Sequence, residues 1–401
     1  MLYLRKGMLP KKLLEFIIIA YPYIFALNIG FFIYGFNVPF VSIVTIGLFL
    51  VFTNYILSKK DIFSFFVICI IAFLVMIVAF TRSAVYFEDI NLAQYRSFFL
   101  VVVYSVSLKL LLSDADFKSK ISKILLFNFV AQAVIGIIHS LYFPHIVTGI
   151  ELDNSGAKFY VLDPGEGGFR ESGLLIGSNV YGNFLVLGIF LIIGHLRGAT
   201  IFRLFFLLFS AFLIFWAIYL SGSRLALANG FLISFVVIVR HFGIKYFSVP
   251  VIFALLVVLT TSVFDNVIER TESHGSGGRV EKAELAINML SDSMTSMFLG
   301  PSLAVLANTK TFDGLQFSDN SFMHLALQHG VFISIVCFIV VFYSVARNVK
   351  GSVVSILMCY YIITTLYFNN SILWDIWLLY AIAVMYILAG RPSLNKIENV
   401  A

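Results

Sequence analysis

Apolar and polar positions alternate along this chain on a scale too long for a soluble fold. Runs of about 20 apolar residues, the length that crosses the hydrocarbon core of a bilayer, recur from end to end. They lie at 14–34, 38–57, 62–81, 92–112, 121–142, 173–194, 204–220, 225–240, 246–263, 321–343, 351–368 and 371–389. The pattern predicts an all-α polytopic membrane protein, a single domain over 1–401 with about twelve transmembrane helices. Two polar interruptions are longer than the rest, at 143–172 and 264–320.

The second of these opens with DNVIERTESHGSGGR, runs through VEKAELAINMLSDSMTSMF, turns at LGPS and leads into SDNSFMHLALQHG. A long loop that is not low in complexity is rarely idle. Within it Val280, Ala283, Ile287, Leu290, Met294 and Met297 recur at three- and four-residue steps. That spacing predicts one apolar stripe on a helix that lies along the membrane surface or caps the bundle.

Composition supports a lipid environment. The 401 residues are 60% hydrophobic and 12% charged, where soluble domains average roughly 45–50% and about 25%. The formal charge of +6 comes from short Lys/Arg clusters between apolar runs, which argues for membrane topology and against a nucleic-acid face. With the N-terminus cytoplasmic, 18 of the 27 Lys and Arg fall inside, and both long loops fall outside the cytoplasm. Both termini are then cytoplasmic. The first apolar run is too long for a cleaved signal peptide and reads as an anchor. Cys69, Cys337 and Cys359 all sit in apolar runs and read as core residues.

Charge at the outer face supplies the candidate chemistry. Arg170 lies in GGFRESGLLIGSNVYGN, Arg224 in LSGSRLALANG between two spans, and Arg279 in SHGSGGRVEK. Charges this close to hydrocarbon tend to face a wet cavity or a partner. A guanidinium is a permanent, bidentate ligand for phosphate, so three of them suit an anionic lipid head group such as a pyrophosphate. Each competes with a plainer reading as an interfacial arginine that snorkels to ordinary phospholipid. Arg224 is the strongest, because its tight helix-to-helix setting leaves little room to snorkel. Arg96, in AQYRSFF, is a fourth. Asp319 and Asn320 stand at the start of a span, where Asp is either a helix N-cap or, beside apolar walls, a base for a hydroxyl proton. His324 is the alternative base. His329 is five residues further on, a poor spacing for a metal pair. Glu166, Glu171, His145 and His274 are weaker candidates. Asp114-Ala115-Asp116 resembles a metal-binding acidic pattern but falls in a short inner loop and reads as a turn and helix cap. The sequence implies no metal and no cofactor.

Taken in order, SGSRLALANG, GGRVEKAELAINML with FLGPS, and DNSFMHLALQHGVF resemble the O-antigen polymerase and O-antigen ligase superfamily of bacterial membrane glycosyltransferases. The motifs cover 165–335. The resemblance implies a GT-C-like fold with two larger extracytoplasmic loops in the bacterial inner membrane. It also implies metal-independent transfer of undecaprenyl-pyrophosphate-linked glycan, serving as donor and acceptor, with a chain-length regulator and a flippase as partners. On that reading Arg170, Arg224 and Arg279 hold the departing pyrophosphate and Asp319 takes the acceptor proton, while Arg96, Glu171, Asn179, Asn320 and His324 bind substrate. Ligases carry histidine where this chain has Asp319, which favours a polymerase over a ligase. From a different class, a flippase or secondary transporter also has about twelve spans, but with charged or broken helices at mid-membrane.

Overall fold

In a computed structural model the chain is described over residues 8–27, 30–33, 36–39, 62–87, 104–142 (apart from 106 and 110), 150–153, 156–159, 175, 178–196, 200–242, 279–302, 305, 320–339 (apart from 337), 353–369 and 375–389. It is predominantly helical. The helices are α1 (Met8–Leu27), α2 (Ile62–Tyr86), α3 (Ala115–Tyr142), α4 (Ser178–Leu196), α5 (Ile201–Leu220), α6 (Arg224–Phe242), α7 (Arg279–Ser291), α8 (Met294–Leu299), α9 (Ser321–His329), α10 (Val353–Phe368) and α11 (Asp375–Ala389). Among the described residues three are long and apolar enough to cross a membrane, at Ala115–Tyr142, Asn179–Leu196 and Ile201–Leu220.

Two features depart from an all-helical chain. Strands β1 (Gly30–Ile33) and β2 (Phe36–Pro39) form an antiparallel hairpin, as do β3 (Ile150–Asp153) and β4 (Gly156–Phe159). The expected first span therefore ends as a helix at Leu27, and the 143–172 loop contains paired backbone. The expected span over 321–343 is also not one helix. It stops at His329, and helix resumes over 331–336 after Gly330. The expected spans at 38–57, 92–112 and 246–263 lie wholly or mostly outside the described residues.

α4 is the axis of the bundle and packs against α3, α5, α6, α10 and α11. Its side chains Tyr181, Phe184, Leu185, Val186, Leu187, Phe190 and Leu191 are fully buried. Of its span 83% is buried, against 28% for the more apolar α5. A soluble protein would bury the more apolar helix. Here α5 turns Phe202, Phe205, Phe209 and Phe212 outward, which a lipid-facing surface requires and water would penalise.

The core also repairs a backbone defect. Pro22 lies inside α1 and has no N–H, so the carbonyl of Ile18 loses its intrahelical donor. Asn128 Nδ2 donates to that carbonyl at 2.7 Å, and the Tyr380 hydroxyl donates to it as well. Three helices are thereby tied at one depth, in surroundings where an unsatisfied carbonyl is costly.

Candidate functional site

The contacts sort the helix ends into two groups. At one end Lys11 pairs with Asp114, Lys120 reaches Glu15 at 2.6 Å, and His195 lies between Ser122 and Arg203. Asp114 Oδ1 also accepts from Phe117 N at 3.0 Å, so it caps α3, as the acidic pattern predicts. The Lys11 hydrogen bond and then the Phe117 N–H hold the Asp114 carboxyl below its ordinary value.

The opposite end collects the start of α4, the α5–α6 turn, the end of α10 and the start of α9. Ser221 N donates to Ala217 O at 3.0 Å, Gly222 adopts φ +59°, and α6 begins at Arg224. This turn sits directly on α4: a Cβ placed on Gly182 would come within 2.7 Å of Ser221 Oγ. Asn183, one turn into α4, accepts from Thr365 Oγ1 at 3.5 Å and from the Tyr361 hydroxyl through its main-chain oxygen at 2.5 Å. One turn beyond Thr365, Asn369 O accepts from Ser321 Oγ at 2.8 Å. Asn179, Arg224, Asn320 and His324 therefore share this end of the bundle.

Their individual settings differ from expectation. Arg224 is exposed at the first residue of α6, so its tight turn does not confine the side chain. The N-cap of α9 is Asn320, whose Oδ1 accepts from Phe322 N at 2.8 Å and Met323 N at 3.2 Å. The cap role considered for Asp319 thus belongs to its neighbour. Asn179 is half-buried and its carbonyl accepts from Asn183 Nδ2 at 2.9 Å. His324 is 1% exposed, and neither its Nε2 nor the Nδ2 of buried Asn369 has a hydrogen-bond partner. Buried polar atoms left this way cost about 1–3 kcal/mol each, which marks the place as one shaped for something other than packing. Arg96, Arg170, Glu171 and Asp319 lie outside the described residues, as do the weaker candidates His145, Glu166 and His274.

Arg279 opens α7, which with α8 forms a hairpin packed on α9. The buried face is Ala286, Met289 and Leu290 against Ala326 and Leu327. This corrects the expected stripe: Ile287, Met294 and Met297 are exposed. The helix is short and broken at Ser293, the N-cap of α8, so a stripe carried straight through 280–297 loses its register at the break.

The hairpin also closes the gap in α9. Gly330, at φ +84°, lies where a Cβ would be 1.9 Å from Phe298 O, and Gly300, at φ +79°, where one would be 2.4 Å from Leu327 O. FLGPS and QHG thus meet backbone to backbone, which only glycine permits at these two points. Beneath them is Arg82, 4% exposed, a residue that the sequence presents only as one more outer-side charge. Its signal was a lone charge in the apolar run IVAFTRSAVYF. Ser321, Thr365 and Asn369 carried no signal of their own.

Among the described residues no group of three or more His, Cys, Asp or Glu side chains is placed to hold a metal. No protein-family model matches the chain, and a search of curated proteins finds no relative.

Proposed function

We propose that this protein is a polysaccharide polymerase of the bacterial inner membrane, with about twelve spans in a GT-C-like arrangement. It would join undecaprenyl-pyrophosphate-linked repeat units on the extracytoplasmic face. The observation that carries the reading is the convergence of Asn179, Arg224, Asn320 and His324 at one end of an otherwise apolar bundle, with unpartnered polar atoms at His324 and Asn369. An apolar helix bundle with polar groups gathered at one end suits a substrate whose tail is lipid and whose reacting part is polar.

In this reaction an acceptor hydroxyl attacks the anomeric carbon of the donor, and the bond from that carbon to the pyrophosphate oxygen breaks. The hydroxyl proton passes to Asp319, with His324 as the second candidate. Arg170, Arg224 and Arg279 stabilise the charge on the departing undecaprenyl pyrophosphate, a task for fixed positive charge. Arg96, Glu171, Asn179 and Asn320 complete the substrate contacts, and a chain-length regulator and a flippase are the expected partners.

The broken helix at Gly330 is the one observation that leans toward a transporter, whose sites use interrupted helices. Here, however, the break is filled by the FLGPS backbone. The test is a lipopolysaccharide gel from the native host with the gene deleted and then restored. A ladder that collapses to core plus one repeat unit supports the polymerase. Loss of all glycan from the core, with polymer accumulating on the carrier lipid, would make it a ligase, and an unchanged ladder would refute an O-antigen role for either and turn the reading to another surface polysaccharide or to transport.

A further inference from the structure

We infer that Arg82 is a positioning residue: a buried clasp that holds the outer hairpin α7–α8 on α9 and thereby sets Arg279's helix against the helix that carries Asn320 and His324. Arg82 lies near the end of α2, far in sequence from the three carbonyls it binds. Its Nη1 donates to Gln328 O and, at 3.3 Å, to Leu299 O, and its Nη2 donates to Pro301 O at 2.6 Å. Leu299 is the last residue of α8, and Gln328 lies in the last turn of α9. Both carbonyls belong to the set that a helix leaves without an internal donor, and both carry the negative end of a helix dipole. One guanidinium therefore satisfies two helix ends and the turn that follows the first.

Tyr86, one turn further along α2, completes the clasp. Its hydroxyl donates to Gly300 O at 2.7 Å, and the Arg82 guanidinium carbon stands 5.9 Å from its ring centroid. Gly300 leaves the space, since a Cβ there would come within 3.3 Å of Arg82 Nη1. Only a planar fork reaches carbonyls on three segments at once, so lysine is not an equivalent. A charge this buried in a membrane protein is expensive and demands a role. The role read from these contacts is to fix one backbone path, and none of the three acceptors is a side chain.

The clasp stands on geometry alone, whereas its consequence for activity rests on the polymerase reading. The test uses the full chain in native membranes, with Cys69, Cys337 and Cys359 replaced and a single Ala286→Cys reporter, a position 1% exposed on the buried face of α7. A membrane-impermeant maleimide is the probe. Labelling is expected to be slow with Arg82 present, about tenfold or more faster with Arg82→Gln, and intermediate with Arg82→Lys. If Arg82→Gln fails to accumulate, Arg82→Lys and Tyr86→Phe take its place, each expected to speed labelling. Unchanged labelling in the variants that accumulate would overturn the clasp. On the gel, Arg82→Gln at normal abundance is expected to lose the long polymer and Arg82→Lys to recover part of it. A full ladder from a variant whose hairpin is open would overturn the positioning role. A deletion strain with an unchanged ladder would refute the O-antigen polymerase reading instead, and the labelling result would decide the clasp by itself.

Discussion

The two ends of the bundle handle charge in opposite ways. At the Lys11 end, two lysines meet carboxylates through side chains that stay partly in solvent: Lys11 and Asp114 are 29% and 41% exposed, Lys120 and Glu15 57% and 23%. Such solvent-screened pairs contribute little and are readily exchanged for others. At the other end Arg82 is buried and its identified acceptors are backbone carbonyls, while His324 and Asn369 keep polar atoms that no protein group answers. The first arrangement settles helix ends. The second holds a precise backbone geometry beside buried polar atoms without a partner, and that difference is why the proposed polymerase chemistry is assigned to the second end.

The harshest way to break the second arrangement is at its closest approach. Gly330→Ala must place a Cβ 1.9 Å from Phe298 O in a left-handed backbone. Strain of about 1–3 kcal/mol in this extended positive-φ backbone and overpacking of about 1–3 kcal/mol add to an expected loss of about 2–6 kcal/mol. Thermal unfolding in detergent measures it, and a variant with the parental midpoint would mean that FLGPS and QHG do not meet. Next come Arg224→Ala and Arg279→Ala, each expected to lower polymerisation about 100- to 1,000-fold, as removal of a charge-stabilising donor does, with insertion unchanged. Normal activity from both variants would remove the pyrophosphate role. The contrast with the Lys11 end is that Lys120→Ala, also a lost cation, should leave polymerisation intact.

How legible this was follows from what each feature depends on. Helix positions and the Asp114 cap depend on local apolar runs and short-range hydrogen bonds, and the sequence displays both. At 319–320 the sequence leaves Asp319 as either cap or base and the structure gives the cap to Asn320, a choice the residue types do not make because Asp and Asn cap almost equally well. The hairpin strands were hidden because GFFI and FNVP continue an apolar run that suits a helix equally. Arg82 was the least legible. The three acceptors identified are main-chain oxygens, which every residue has, so no residue type at 299, 301 or 328 announces it. The glycines at 300 and 330 were visible, but the approach between them is tertiary.

A milder pair of substitutions separates structure from chemistry at the start of α9. Asn320→Ala removes the oxygen that accepts from Phe322 N and Met323 N and should lower stability by about 0.5–2 kcal/mol. Asp319→Asn leaves that cap in place, so the unfolding midpoint should stay put while polymerisation falls by about 100-fold or more, if Asp319 accepts the acceptor's proton. Activity that survives Asp319→Asn would move the base to His324, and the matching His324→Ala assay would then show the loss.

The smallest effect belongs to the Lys11 end and is a pH dependence. Because the folded-state carboxyl of Asp114 is held below its ordinary value of 3.8, chiefly by the Lys11 hydrogen bond, the folded state binds fewer protons there than the unfolded one. The stabilisation is therefore fully present above about pH 5, shrinks as pH falls through about 4, and is gone once the folded carboxyl is protonated. Asp114→Asn keeps a capping oxygen for Phe117 N but discards the charge. Its unfolding midpoint should lie slightly below the parent's at pH 7 and meet it once acid has protonated the folded carboxyl, with the gap at pH 7 closing as salt is raised. A gap that survives acid and salt alike would show that Asp114 acts through its cap geometry and not through its ion pair. The two ends would then resemble each other, both held by groups that fix backbone.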